Sequence, residues 1–421
     1  TNQPIGAFRT WEVRHELARL TGARAEPAPS TTLRPWELQF GDGTANFYRG
    51  DPMYLMNDLL PRPDGTAILV GTLWLGGEKD VWVLGAGPGG VRLWEHNYRG
   101  VPCGGALIDG GFVVLAEDLI GGEDAGVLML LDDGTAPTGF PTGFEHYAIA
   151  PDGIGGFVVT GRQDGAPIVR GYDTGGDTTW TWTAPAADLV GGAETAAVVA
   201  ATVVPGGRDI RVLGMADRPG DAGVDAVMWT GLLAEDGRPS DVVILGEVHA
   251  ASLRRCDFVL PHWSIDAVPD GFIVRFDSID RQAAIRRTTL MGLDAAGAER
   301  WRHVLPIDLR DHPDAQAARE AGLDEVTAAS ATADGGVLLA GLHSRPRGQS
   351  AGFVARWDAD GEPLWATELR RPGESGSVAD AYFAAVVEAA DGGILATMTD
   401  GVLYMRPRGF LFRLGADGEA P

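Results

Sequence analysis

Short apolar runs, each opened by a tight polar turn, recur along the whole chain. They follow Asp64-Gly65, Asp109-Gly110-Gly111, Gly155-Gly156, Pro205-Gly206-Gly207, Asp270-Gly271, Asp334-Gly335-Gly336 and Asp391-Gly392-Gly393. That makes seven copies. Asp-Gly and Gly-Gly suit primed hairpin turns, because their backbones accept positive φ at little cost. A second element trails the first by about twenty residues: a strand, a turn and a large aromatic, in the pattern Asp-x-x-Gly-x-x-x-Trp. It is complete at Asp173/Gly176/Trp180, Asp294/Gly297/Trp301 and Asp358/Gly361/Trp365. Gly90/Trp94 lacks the Asp, while Asp132-Asp133-Gly134 and Asp236-Gly237 keep the turn without the Trp. An aromatic at one fixed place per repeat is what packing between neighbouring sheets requires.

Each unit therefore reads as four short antiparallel strands, repeated every 45 to 65 residues or about that. The pattern predicts an all-β fold, a single seven-bladed β-propeller spanning residues 1–421. A solenoid is disfavoured by the two hairpin signals per unit and the lack of capping repeats. The seventh unit stops at Gly415-Ala416-Asp417-Gly418, short of its Trp, and Trp11 heads a strand resembling the one at Trp365. The N-terminal strand, residues 8–18, is thus expected to complete the last blade and remove its open edge. Residues 19–46 read as a connector. Residues 309–322, with Asp311 and Pro313 at the start and Gly322 at the end, read as a helical insertion.

These two motifs resemble bacterial Asp-Gly-Gly propeller repeats and the tryptophan-docking repeats of quinoprotein-like propellers. The resemblance covers nearly the whole chain and implies blades, not an activity. Quinoprotein dehydrogenases carry vicinal cysteines at their cofactor site. Here Cys103 and Cys256 stand alone, so no cofactor is expected, and both read as reduced, buried thiols.

Composition narrows the partners. With 34 Lys+Arg against 58 Asp+Glu, the net charge of −24 repels phosphate backbones and anionic membranes. No nucleic acid and no membrane insertion are expected. The expected state is a monomer, with an extracytoplasmic location favoured over a cytoplasmic one. No spacing of His, Cys or carboxylates suggests a metal site.

Ligands of propellers use the face where innermost strands start and second strands end. Mapped this way, the binding candidates are Tyr48, Arg49, Trp74, Asp257, His262, Asp324 and Tyr382, with Glu145, Arg162 and Asp217 on the same rim. Flat rings for stacking and groups that orient polar atoms suit a glycan or protein segment at the channel mouth. The repeated Glu-His patterns supply His96, Tyr98, Arg99, His146 and Tyr147. If these converge, His and Tyr could exchange a proton while Arg99 neutralises a carboxylate, as a polysaccharide lyase or hydrolase requires. The leading expectation is a non-catalytic recognition propeller, and the enzyme is the alternative.

Overall fold

The computed structural model describes residues 12–14, 36–40, 53–75, 78–117, 126–135, 138–204, 209–218, 225–233, 239–249, 263–280, 285–308, 324–345, 349–370, 382–402 and 405–418. These form a seven-bladed β-propeller of four-stranded antiparallel blades. Blade one runs outward through Met53–Pro61, Ala67–Leu75, Glu78–Ala86 and Arg92–Arg99. Blades two to five begin with innermost strands Val101–Ile108, Glu145–Pro151, Ala196–Val203 and Trp263–Val268 and follow the same order. Blade six starts at Asp324–Ala331 and blade seven at Tyr382–Glu388. The one helix among the described residues is the single turn Ala186–Leu189.

The core lies between the blades. Val70 and Val83 of blade one pack with Phe112 and Val114 of blade two, and Leu338 and Ala340 of blade six with Phe410 and Phe412 of blade seven. Leu69 and Trp82 meet Leu395 and Leu411, which joins the seventh blade to the first. Middle strands are covered on both faces, so they read as unbroken apolar runs: Gly111–Glu117 is buried through its first six residues.

Closure follows the expected principle with a different segment. Blade seven is completed by Trp36–Phe40, which pairs Trp36 with Arg413 and Phe40 with Gly409. The expected closing strand, residues 8–18, contributes Glu12–Arg14 as a fifth strand on the outer edge of blade six. The expected connector, 19–46, therefore contains the closing strand itself. Only residues 41–52 lie between Phe40 and blade one. The helical insertion expected at 309–322 lies outside the described residues.

The turns also differ from expectation. Gly65, Gly110, Gly335 and Gly392 have φ of +80° to +93°, while the residues before them do not share the positive sign. Asp164-Gly165 is the one primed Asp-Gly turn among the described residues, with φ of 51° and 81°. Asp at the other turns bonds forward to backbone instead: Asp64 Oδ1 accepts from Thr66 N at 2.9 Å, and Asp391 Oδ1 from Gly393 N at 3.2 Å.

The Trp motif performs two packings at once. Within a sheet, Trp94, Trp180 and Trp301 lie across from Gly85, Gly171 and Gly292, where a Cβ would meet the indole at 2.2–2.3 Å. Between sheets, Trp94 and Trp301 also dock on the positive-φ Gly of the next blade's outer turn, Gly134 and Gly361, and Trp365, which faces Arg356 within its own sheet, docks on Gly418. Trp301 Nε1 also donates to Ala359 O at 2.9 Å. Where the Trp is missing, something replaces it. Phe140 meets Gly176, and the buried guanidinium of Arg211 meets Gly297, donates to Ala295 O and lies 5.1 Å from the Phe272 ring.

We predict that Gly361→Ala lowers the unfolding free energy by about 2–4 kcal/mol, summing a left-handed alanine and an overpacked Trp301. Gly110→Ala has a similar φ, +81°, but nothing within 4 Å, so about 1–2 kcal/mol is expected. Equal losses in urea denaturation would refute the docking account.

Candidate functional site

Antiparallel pairing sets the start of each innermost strand beside the end of the second, so Glu145 pairs in register with Arg162, and Met53 with Trp74. This rim is where the sequence analysis places its candidates, and the structure distributes them unevenly.

His96, Tyr98 and Arg99 belong to Arg92–Arg99, the outermost strand of blade one, not to the channel face. Strands lie ~4.8 Å apart, so the outermost strand is ~14 Å from the innermost. His96 Nε2 is 3.1 Å from Asp133 O and must donate to it, since a carbonyl only accepts. The Tyr98 hydroxyl donates to Gly134 O. Both side chains therefore clasp the turn on which Trp94 docks. The signal was present in the sequence: positions two and four after a docking Trp share its strand face.

His146 and Tyr147 do lie on an innermost strand, that of blade three. His146 is 1% exposed, with Nδ1 3.2 Å from Thr142 Oγ1 and Nε2 3.8 Å from Cys103 Sγ in blade two. It is thus shut inside the joint between blades two and three. Cys103 is disulfide-bonded and half-buried, which corrects its reading as a reduced, buried thiol. The chain's one other cysteine, Cys256, lies outside the described residues. Distance along the sequence says little about distance across a closed ring.

Tyr147 is the unpaired residue of a β-bulge, a position repeated at Asn57, Cys103, Val199, Thr327 and Ala384 and absent from the innermost strand of blade five. Its hydroxyl donates to Glu145 Oε1 at 2.7 Å. Glu145 Oε2 receives Arg162 Nε at 3.1 Å and Nη2 at 2.8 Å. Partial burial works against the Arg162 charge, but Glu145, Tyr147 and Asp217 outweigh it and hold its pKa above the usual guanidinium value. Asp217, at the end of blade four's second strand, accepts from Thr195 Oγ1. Glu145, Tyr147, Arg162 and Asp217 thus form a charged network across the rim of blades three and four. The Arg162 side chain is 27% exposed. Such a group can orient a carboxylate or hydroxyl ligand with fixed geometry.

Trp74 is half-buried at the rim of blade one, with Lys79 Nζ 5.3 Å from its ring centroid. The backbones of Asp324 and Tyr382 open the innermost strands of blades six and seven. Tyr48, Arg49, Asp257 and His262 lie outside the described residues. No group of three or more His, Cys, Asp or Glu suited to a metal occurs among the described residues, nor does a helix long and apolar enough to cross a membrane.

No protein-family model matches the chain, and no match was found among curated proteins. Among solved structures it is similar to the β-propeller domain of the Trilobed protease from Pyrococcus furiosus, with a TM-score of 0.47, 8% identity, and coverage of 86% of this chain and 95% of that one. It is also similar to prolyl oligopeptidase B from Galerina marginata (TM-score 0.48, 11% identity, 88% of this chain, 50% of that one). A third is Drosophila Plexin A in complex with Semaphorin 1b (TM-score 0.45, 7% identity, 90% and 86% covered). The chain spans half the length of the prolyl oligopeptidase.

We predict that Glu145→Gln, which strips the charge from three hydrogen bonds, lowers the unfolding free energy by about 1–3 kcal/mol. Tyr147→Phe removes one neutral donor and should cost about 1 kcal/mol. Thermal denaturation with the order reversed would show that Glu145 does not organise the network.

Proposed function

We propose that the chain is a ligand-recognition propeller, non-catalytic, which binds a carbohydrate or a protein segment at the channel mouth. One observation carries the reading: the residues required for acid–base chemistry are dispersed. His96 and Tyr98 clasp a turn on the outer rim and His146 is enclosed between blades. Concerted proton transfer needs groups within hydrogen-bond reach of one substrate. What the mouth presents instead is an oriented guanidinium with its carboxylates on blades three and four and an indole on blade one. These groups grip polar ligands and sugar faces. A disulfide at Cys103 supports an oxidising, extracytoplasmic setting. Trp–Gly docking supports kinship with the quinoprotein-like repeats, without their cofactor.

The test is binding to a panel of neutral and acidic oligosaccharides and extended peptides, read by calorimetry. Arg162→Ala and Trp74→Ala are expected to weaken the bound ligand at least tenfold, while His96→Ala and Tyr98→Phe leave affinity unchanged. Product formation abolished by Tyr98→Phe or His96→Ala would overturn the reading in favour of a lyase or hydrolase.

A further inference from the structure

The outer edge of blade six carries an extra strand, and among the described residues no other blade has a fifth. The outermost of its own four strands is Pro363–Arg370, and from Trp365 to Leu369 its pairing with Gln349–Trp357 runs without a break. A regular edge of this kind presents a row of N–H and C=O groups to any strand that fits it. Three other blades interrupt theirs. The outermost strand of blade two is four residues long and ends at Pro141, that of blade four bulges at Leu245, and that of blade five contains Pro306. On blade six the edge is covered instead, by Glu12–Arg14.

The register of that cover is specific. Glu12 stands opposite Arg370, Val13 opposite Leu369 and Arg14 opposite Glu368. Opposite charges directly across an antiparallel pair stabilise it, and like charges oppose it. The covering tripeptide, Glu12-Val13-Arg14, also repeats the chemistry of the one it covers, Glu368-Leu369-Arg370. Both read Glu, an apolar residue, then Arg. An antiparallel edge bearing that order is complementary to itself. Turned about Leu369, the edge of one copy sets Glu368 opposite Arg370 of another, Leu369 opposite Leu369, and Arg370 opposite Glu368. The backbone groups that now pair with residues 12–14 would pair with the second copy, because the register is the same.

We propose that Glu12–Arg14 is a cap on a self-complementary edge, holding in cis the place that Glu368–Arg370 of a second copy would take. Released, the cap exposes a surface that joins two molecules about a two-fold axis, blade six to blade six, merging two four-stranded blades into one antiparallel sheet. The partner is this chain itself. The net charge of −24 works against association of two copies. At physiological salt that repulsion is screened beyond about 8 Å, whereas directly paired residues stand about 5 Å apart.

The experiment is sedimentation equilibrium of the full chain at physiological salt. The cap is disabled by Glu12→Pro, Val13→Pro and Arg14→Pro together, since proline has no backbone N–H to pair. The wild type is expected to stay at 44.4 kDa, and the triple-proline chain to rise with concentration towards twice that mass. Adding Glu368→Arg, which puts like charges in register at both ends of the two-fold pairing, should weaken the dimer about tenfold. Adding Leu369→Cys should instead link the two copies on oxidation. Cα atoms in direct antiparallel register lie about 4.5–5.5 Å apart, within disulfide reach. A triple-proline chain that remains monomeric overturns the proposal. So does a dimer that ignores Glu368→Arg or fails to cross-link through Leu369→Cys, or a wild type that dimerises equally well. If the triple-proline chain fails to fold, Glu12→Arg with Arg14→Glu disables the cap by charge, and adding Glu368→Arg with Arg370→Glu restores it. Dimer in the first and monomer in the second is then expected, and equal masses refute the capping.

Discussion

The contact on which the ring depends is the seating of a side chain from one blade on the next blade's left-handed glycine. A glycine there does two things a larger residue would not: it holds φ near +80° without strain and leaves space for a ring to lie against backbone. The apolar faces between blades supply most of the driving force, but they are non-directional. The docked Trp, Phe or Arg fixes the angle at which adjacent sheets meet, and a closed ring tolerates little error in that angle. Arg211 is instructive because a buried guanidinium replaces an indole, stacking on Phe272 and bonding to the turn carbonyl.

Much of this was legible in the chain. The Asp-x-x-Gly-x-x-x-Trp spacing is local, and local spacing survives folding unchanged, so blade number and strand order could be read directly. Which N-terminal segment closes the ring could not. Trp11 and Trp36 both head plausible strands, and which segment meets the edge of blade seven is decided by tertiary pairing, not by local spacing. The candidate site divides the same way. Glu145, Tyr147 and Arg162 are together because strand pairing places a strand start beside a strand end. His96 and Tyr98 were misplaced because a Glu-His-x-Tyr string looks alike on an inner and an outer strand. Only its offset from Trp94 tells the two apart.

The molecule thus separates its polar work by radius. Outer-strand polar groups fasten turns, rim groups of blades three and four form an exposed charged network, and Asp58 on the innermost strand of blade one accepts from Gly105 N of blade two. Groups of the middle zone are both fixed and accessible.

Closure by Trp36–Phe40 also imposes an order on biosynthesis. That strand leaves the ribosome before any blade of this ring, yet its partner Met405–Leu414 follows six complete blades along the chain. Six blades can stack in sequence as they emerge, while Trp36–Phe40 waits for its partner until blade seven is made. A chain arrested before blade seven keeps two uncovered apolar sheet faces, one at each end of its arc. Stalled synthesis would expose them to other nascent chains, making completion of the ring the step at which this protein is most vulnerable to aggregation.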